Sequence, residues 1–328
     1  MRKYKRNLWF CKMSIIWIII AVLIFPGLLF TGVVGLLMSW VDRKVTARVQ
    51  WRVGPPLLQP FYDFVKLLGK ETILPKEGNT FVFLLAPVAG VAAVTVASLI
   101  LWIPILDWKA LAPLGFSGDI ILVIYLLTIP SLCVILGGAS SGNPLSSLGS
   151  SREMKLVLAY ELPFILAIVV PIIQSGGQLR LDSLVAFQAA NGATVLKLSG
   201  VLALIAAIPC IQAKLTLVPF DIPEAETEII AGPYTDYSGP PFALFKLMRA
   251  MLLFVAPMTL VIFFCGAMNF DGIMNSVLSV LKYVGLLVLI TVIRNTNPRL
   301  RIDQAMKFFW TIPLLLALGG VILALAGL

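Results

Sequence analysis

The chain has 328 residues, 59% of them hydrophobic and only 12% charged, with a formal net charge of +9 and a mean hydropathy of +0.99. Soluble domains are nearer half apolar and a quarter charged, so the composition excludes a water-soluble fold and describes a single polytopic membrane domain, 1–328. Histidine is absent, and Cys11, Cys133, Cys210 and Cys265 are widely separated, which removes the commonest general base, a Ser/His/Asp set and any iron–sulfur spacing within this chain.

A bilayer span takes about 20 mostly apolar residues. Eight runs qualify, roughly 14–40, 81–105, 118–138, 154–173, 198–218, 242–265, 276–294 and 306–327. The expected fold is an all-α integral membrane protein of about eight transmembrane helices. Pro26, Pro130, Pro163 and Pro209 fall inside these runs and predict kinks, which membrane helices tolerate where neighbours or water re-satisfy the freed backbone groups. The first run is too long for a secretory signal and lacks a small-residue cleavage site.

Two connections are long: a basic, amphipathic loop at 41–80 and an acidic loop at 219–241. In the first, Arg48 and Arg52 flank a stiff turn that ends in Gly54-Pro55-Pro56, and they suit phospholipid heads or a partner's carboxylates. Beyond it, Phe61, Phe64, Val65 and Leu68 recur at helical spacing with charges between them. That spacing predicts an amphipathic helix lying in the membrane interface or against a partner. Asp119 opens the third run, where it can cap a helix. Glu161 lies inside or at the edge of the fourth run, and an ionisable group there is a functional candidate; Arg152 and Lys155 are its candidate partners if it is only a structural ion pair. Lys214, within the fifth run, needs a carboxylate or a water path, and the neighbouring acidic loop can offer both.

That loop is the most informative segment. Asp221, Glu224, Glu226 and Glu228 fall within residues 219–228 of a chain with only 16 acidic residues. Carboxylates crowded against apolar surface repel one another and lose hydration, so such groups can hold or pass protons near neutral pH. The alternative is a solvated acidic loop. The last connection, Arg294 to Asp303, contains Arg299 and Arg301 and is composed like a membrane-surface clamp. The first, third and seventh connections carry thirteen basic residues against five in the N-terminal tail. The positive-inside rule then puts these connections, and the acidic loop with them, in the cytoplasm. Lipid headgroups explain the basic excess better than nucleic acid does.

Taken in order, these segments resemble one family. Pro219 to Glu228, followed by Ala231-Gly232-Pro233-Tyr234-Thr235-Asp236-Tyr237-Ser238-Gly239, closely resembles the PFDLPEAE…AG…TEYSG signature of the H subunit of respiratory complex I, called subunit 1 in mitochondria. Asn297 to Gln304 resembles that family's PR-R-DQ segment, Tyr160-Glu161 its SYE motif, and Arg52, Gly54 and Pro55 its R-GP turn. The resemblance runs from about residue 35 to the C terminus. It implies eight spans, an amphipathic loop helix, a place at the heel of a membrane arm, and contact with a peripheral redox arm. It also implies that Glu161, Glu224, Glu226 and Glu228 fall on acidic positions of a path linking redox chemistry to ion movement, with Asp221 and Asp236 beside them. Arg299, Arg301 and Asp303 fall on that family's basic loop.

Two positions depart from the complex I pattern. Pro56 stands where that family usually has asparagine, and Arg249, after Phe242 to Met248, stands where it has glutamate. Gly54 to Glu71 instead resembles the related subunit of energy-converting membrane-bound NiFe hydrogenases and their ferredoxin-dependent kin. The expected function is a non-catalytic subunit that anchors a redox arm and couples electron transfer to proton or cation translocation. The proton or ion path would comprise Glu161, Asp221, Glu224, Glu226, Glu228, Asp236 and Lys214, while Arg48, Arg52, Arg299, Arg301 and Asp303 would contact partner or lipid. The chain would hold no cofactor; iron–sulfur clusters, and a NiFe centre in the hydrogenase branch, would belong to partners. Those partners would be peripheral-arm redox subunits, antiporter-like membrane subunits and phospholipid, in an obligate hetero-oligomer. The alternatives are the quinone-chamber subunit of an NADH- or ferredoxin-quinone oxidoreductase, and a stand-alone ion transporter, whose inverted repeat and broken midplane helices are not legible here.

Overall fold

The computed structural model describes residues 18–76, 78–106, 117–266, 268–270 and 272–328, except for the side chains of Glu226 and Thr227. Ten principal helices run in chain order: α1 (Leu28–Val49), α2 (Gln59–Leu68), α3 (Thr80–Leu106), α4 (Asp119–Ala139), α5 (Pro144–Gln174), α6 (Leu181–Asn191), α7 (Leu198–Lys214), α8 (Gly239–Phe264), α9 (Ile273–Thr296) and α10 (Ile302–Leu325). Among the described residues, seven helices are long and apolar enough to cross a membrane, and α7 is a shorter apolar helix of 17 residues. At 1.5 Å per residue α7 spans about 26 Å, the short end of the range that crosses hydrocarbon. The fold is the expected all-α, multi-pass membrane bundle.

Burial divides the helices. The apolar window of α8 is 89% buried inside the protein, against 33% for α9 and 28% for α10. Helix α8 is the axis, packed on α1, α2, α3 and α9, while α5 sits among α4, α7 and α10. A helix that is apolar all round and surrounded by other helices belongs to the core; the outward Leu, Ile and Met of α9 and α10 are left to meet lipid.

Several boundaries differ from the hydropathy reading. The helical turn that begins at Ile18 breaks at 24–27, around Pro26, and α1 then continues to Val49, beyond residue 40. Helix α5 starts at Pro144 rather than 154, because Asn143 caps it: the Asn143 side-chain oxygen accepts from Leu145 N at 3.0 Å. Its first turns are polar, so hydropathy alone misses them. Helix α6, in the connection before α7, escapes hydropathy for the same reason.

Helix α2 forms where the amphipathic pattern predicts, but its inner face is rotated. Pro60 is buried and Phe64 half-buried, whereas Val65 and Leu68 are 63% and 44% exposed. Arg43 of α1 fixes this orientation by donating to Asp63 at 2.8 Å.

The connections 50–58, 69–76, 78–79, 140–143, 215–238 and 297–301 gather at one end of the bundle. Asn79 N donates to Ser140 O at 2.9 Å, Leu300 N to Pro219 O at 3.1 Å, Ser238 Oγ to Glu71 O at 3.0 Å and Gln50 Nε2 to Asn295 Oδ1 at 3.3 Å. This charged end carries the site.

Candidate functional site

The loop between α7 and α8 is folded as a series of tight turns: Ile222–Glu224, a single helical turn Glu226–Ile229, and Gly232–Tyr234. Its second half is a clamp. Gly232 has φ +53, and any side chain there would run into the Pro223 carbonyl. Pro233 packs so closely on Gly149 of α5 that a Cβ at 149 would meet its nitrogen at 2.7 Å. Tyr237 stacks on Phe83 with centroids 3.9 Å apart and planes 3° apart, and donates its hydroxyl to Phe83 O at 3.0 Å. Asp236 accepts from Asn143 Nδ2 at 3.0 Å. Asp236 therefore belongs to the clamp, joining the loop to the start of α5.

The first half of the loop carries charge to a cavity of about 370 Å³ bounded by α1, α2, α8 and α9. Four ion pairs stand in its wall. Arg249 of α8 grips Glu224 with both guanidinium nitrogens, one of them 2.7 Å from Oε2, and also donates to Thr216. Arg299 meets Asp221 at 2.8 Å, Arg294 meets Asp42 at 2.5 Å, and Arg43 meets Asp63 at 2.8 Å. Tyr234 lies under the Arg249 guanidinium, 5.3 Å from ring centroid to Cζ, a favourable cation–π placement. A second cavity of about 240 Å³ shares the Asp221–Arg299 wall and is also lined by Arg152, Glu228, Arg301 and Asp303. Arg152 is ion-paired with Glu228 there.

Burial and pairing act oppositely on two carboxylates of the first cavity. Burial pushes Asp221 above the usual carboxylate range, against the pull of Arg299. The hydrogen bond from Arg43 holds Asp63, which is much less buried, below that range. Asp221 is thus the more readily protonated of the two.

Deeper in the bundle, Lys214 at the C-terminal end of α7 meets Glu161 of α5 at 3.2 Å, with the lysine side chain fully buried and the glutamate side chain 20% exposed. Thr128 of α4 donates to Glu161 Oε1 at 2.8 Å and accepts from Lys214 Nζ at 3.1 Å. The ammonium also lies 4.8 Å from the Phe164 ring centroid and 5.3 Å from that of Tyr160. A charge pair inside a bundle persists only when hydrogen-bonded and caged in this way.

The structure brings together Glu161 with Lys214, and Asp221 with Glu224 around the first cavity. Two partner assignments made from the sequence are corrected. Lys214 takes its carboxylate from Glu161 rather than from the acidic loop, because α5 and α7 pack side by side. Arg152 turns outward to Glu228, and Lys155 is exposed, so neither pairs with Glu161. Arg48, in the last turn of α1, and Arg52, just beyond that helix, are both exposed. Arg301 and Asp303 are exposed beside the second cavity. The side chain of Glu226, the basic N-terminal tail and Cys11 lie outside the described residues.

Sequence reasoning missed Asp42, Arg294, Asp63 and the pairing of Arg249. The available signals were Asp42 beside Arg43 in the basic connection, Asp63 within the amphipathic helix, and Arg249 and Arg294 inside or at the end of apolar runs. It also passed over Glu153, which is 1% exposed. Among the described residues no cluster of three or more His, Cys, Asp or Glu could hold a metal ion.

A bundle of this shape, with ion pairs carried into its interior from one charged end, defines a multi-pass membrane protein built to hold charge below the surface. Comparisons with known proteins narrow the class. The NADH dehydrogenase family model matches residues 17–325. The chain is 33% identical over 320 residues to the H subunit of NADH-quinone oxidoreductase from Dehalococcoides mccartyi, covering 95% of this chain and 87% of that one. It is 36% identical over 307 residues to the corresponding H subunit from Thermomicrobium roseum, covering 86% and 87%. Its structure is similar to a chain of the membrane-bound sulfane sulfur reductase, an archaeal respiratory membrane complex, with a TM-score of 0.81, 30% identity, and 90% and 96% of the two chains covered. The chain belongs to the NADH dehydrogenase family and is homologous to the H subunit of NADH-quinone oxidoreductase.

Proposed function

We propose that this chain is the membrane-arm subunit of a complex I-related redox assembly, where it anchors the peripheral arm and couples electron transfer to proton or cation movement. The observation that carries the coupling role is the buried Lys214–Glu161–Thr128 group, lying below a cavity walled by four arginine–carboxylate pairs. A rigid anchor has no need of charges at that depth, since each must be desolvated and then re-paired. Redox turnover in a partner would change the field at Asp221 and Glu224, shift proton occupancy there, and bias the deeper pair. Iron–sulfur clusters, and a NiFe centre if the assembly is of hydrogenase type, would lie in peripheral subunits, with antiporter-like membrane subunits completing the ion path.

The hydrogenase and sulfur-reductase branch is favoured over quinone reduction. Arg249 and Glu224 hold each other across the cavity wall, which sets a fixed ion pair where an apolar quinone would have to enter. Purified complex assayed with a quinone analogue, and with reduced ferredoxin plus protons or polysulfide, tests the choice. Fast, inhibitor-sensitive quinone turnover alone overturns it. The coupling role is tested by Glu161→Gln, which keeps size and hydrogen bonding but removes a titratable proton. Ions moved per electron should fall sharply, since a titratable proton carrier is lost, while electron transfer to an artificial acceptor persists. A normal ratio in a normally assembled complex removes the role.

A further inference from the structure

Glu153 is the one charged residue of the α5 core that the coupling role leaves unused. It stands on α5 and is 1% exposed, and its Oε2 has no protein partner among the described residues. It lines a small cavity of about 20 Å³ together with Ser131, Thr216, Tyr234 and Arg249. That volume matches a single water molecule, and the wall offers the two to four polar partners that a buried water requires. An unpartnered carboxyl oxygen in such a place is costly unless a water or a proton satisfies it.

Two contacts connect this pocket to groups already described. On the cavity side, Arg249 and Thr216 line both this pocket and the large charged cavity. On the inner side, Ser131 lines the same space as Glu153, and its Oγ lies 3.4 Å from the Tyr160 hydroxyl. The Tyr160 ring in turn supports Lys214. Hydroxyls, a carboxyl and one water in sequence form the kind of chain along which protons move.

We infer that Glu153 is a proton-carrying residue linking the Arg249–Glu224 wall to the Lys214–Glu161 pair through one buried water. The inference rests on the coupling role proposed above. A proton arriving on the water passes to Glu153 Oε2. Its release proceeds through the Ser131 and Tyr160 hydroxyls, each accepting one proton as it gives up another, and the Glu161 carboxylate beside Tyr160 takes up the proton released and passes it on before the next turn.

The test uses the intact complex in membrane vesicles, with Glu153→Gln and Glu161→Gln made separately. Ions moved per electron are measured beside electron transfer and subunit content on a native gel. For Glu153→Gln the ratio should fall well below that of the parent complex, with electron transfer and subunit content retained, and Glu153→Asp should recover part of it. A normal ratio in Glu153→Gln beside a depressed one in Glu161→Gln overturns this inference and leaves the coupling role standing. Normal ratios in both overturn both. If Glu153→Gln fails to assemble, Ser131→Val decides: it fills the water-sized space and keeps the carboxyl. A depressed ratio then supports the relay, and a normal one refutes it.

Discussion

Glu153 and Glu161 lie on one helix, about 12 Å apart along its axis, and both are held inside the bundle, yet their surroundings differ completely. Glu161 meets a lysine from α7 and a threonine from α4, and both its oxygens are engaged. Glu153 faces a water-sized space with one oxygen unpartnered. Their own helix treats them alike; what differs is which neighbour reaches them. A buried carboxylate's role is therefore set across helices. Fixed pairing stabilises charge, and incomplete pairing leaves room for a proton to come and go.

The contrast should collapse most severely when Glu161 is made to resemble Glu153. Lys214→Met strands a buried charge, at a cost of about 3–5 kcal/mol. The variant should be missing from the assembled complex on a native gel. Adding Glu161→Gln to it should restore assembly, since Gln still accepts from Thr128 and no net charge remains. Recovery of assembly without recovery of ion movement would separate the structural part of the pair from its coupling part.

A middle-sized effect is expected at the wall between the two carboxylates' surroundings and the charged cavity. Arg249→Leu leaves Glu224 and Thr216 without their donor, at about 1–3 kcal/mol for a group stripped of its partner. The melting temperature of the detergent-solubilised complex should drop, and quinone analogues should gain access to the cavity. An unchanged melting temperature would show that Glu224 finds another partner.

A smaller loss is expected in the clamp. Tyr237→Phe keeps the stack on Phe83 and loses only the hydroxyl bond to its carbonyl, costing about 1 kcal/mol. It should leave ions per electron untouched, since Asp236 and Tyr237 hold the loop in place. A fall in that ratio would move the clamp into the coupling path.

The smallest effect belongs to the half-exposed Arg43–Asp63 pair. Asp63→Asn should weaken the hold on α2 by at most about 1 kcal/mol. Because Arg43 depresses the Asp63 value in the folded state, the pair's contribution is present above the ordinary carboxylate range and is lost as pH falls through the depressed value. Hydrogen exchange in α2 should quicken only in acid, and the Asn variant should abolish that pH response. Asp221 runs the opposite way. Burial raises its value, so its folded form keeps a proton to higher pH, and its contribution to stability declines as pH rises from the ordinary range through the raised value.

The membrane class, the number of apolar runs, the amphipathic helix at 59–68, and the membership implied by Pro219 to Glu228 and Ser238-Gly239 were all legible in the sequence. Each of these follows from local composition: a run of about 20 apolar residues can do little but cross a bilayer, and a dense cluster of carboxylates stands out in a chain so poor in charge. The polar ends of α1 and α5 were illegible because hydropathy does not register a helix that continues into water. The partners came from the packed bundle alone. Lys214 finds Glu161, Arg249 finds Glu224 and Arg294 finds Asp42 across separations of 53, 25 and 252 residues. Charge attracts through space and carries no sequence signature of its mate, so which helix lies beside which had to be known first. The same holds for the space at Glu153: a gap of one water's size is a property of how several segments pack, and no single segment records it.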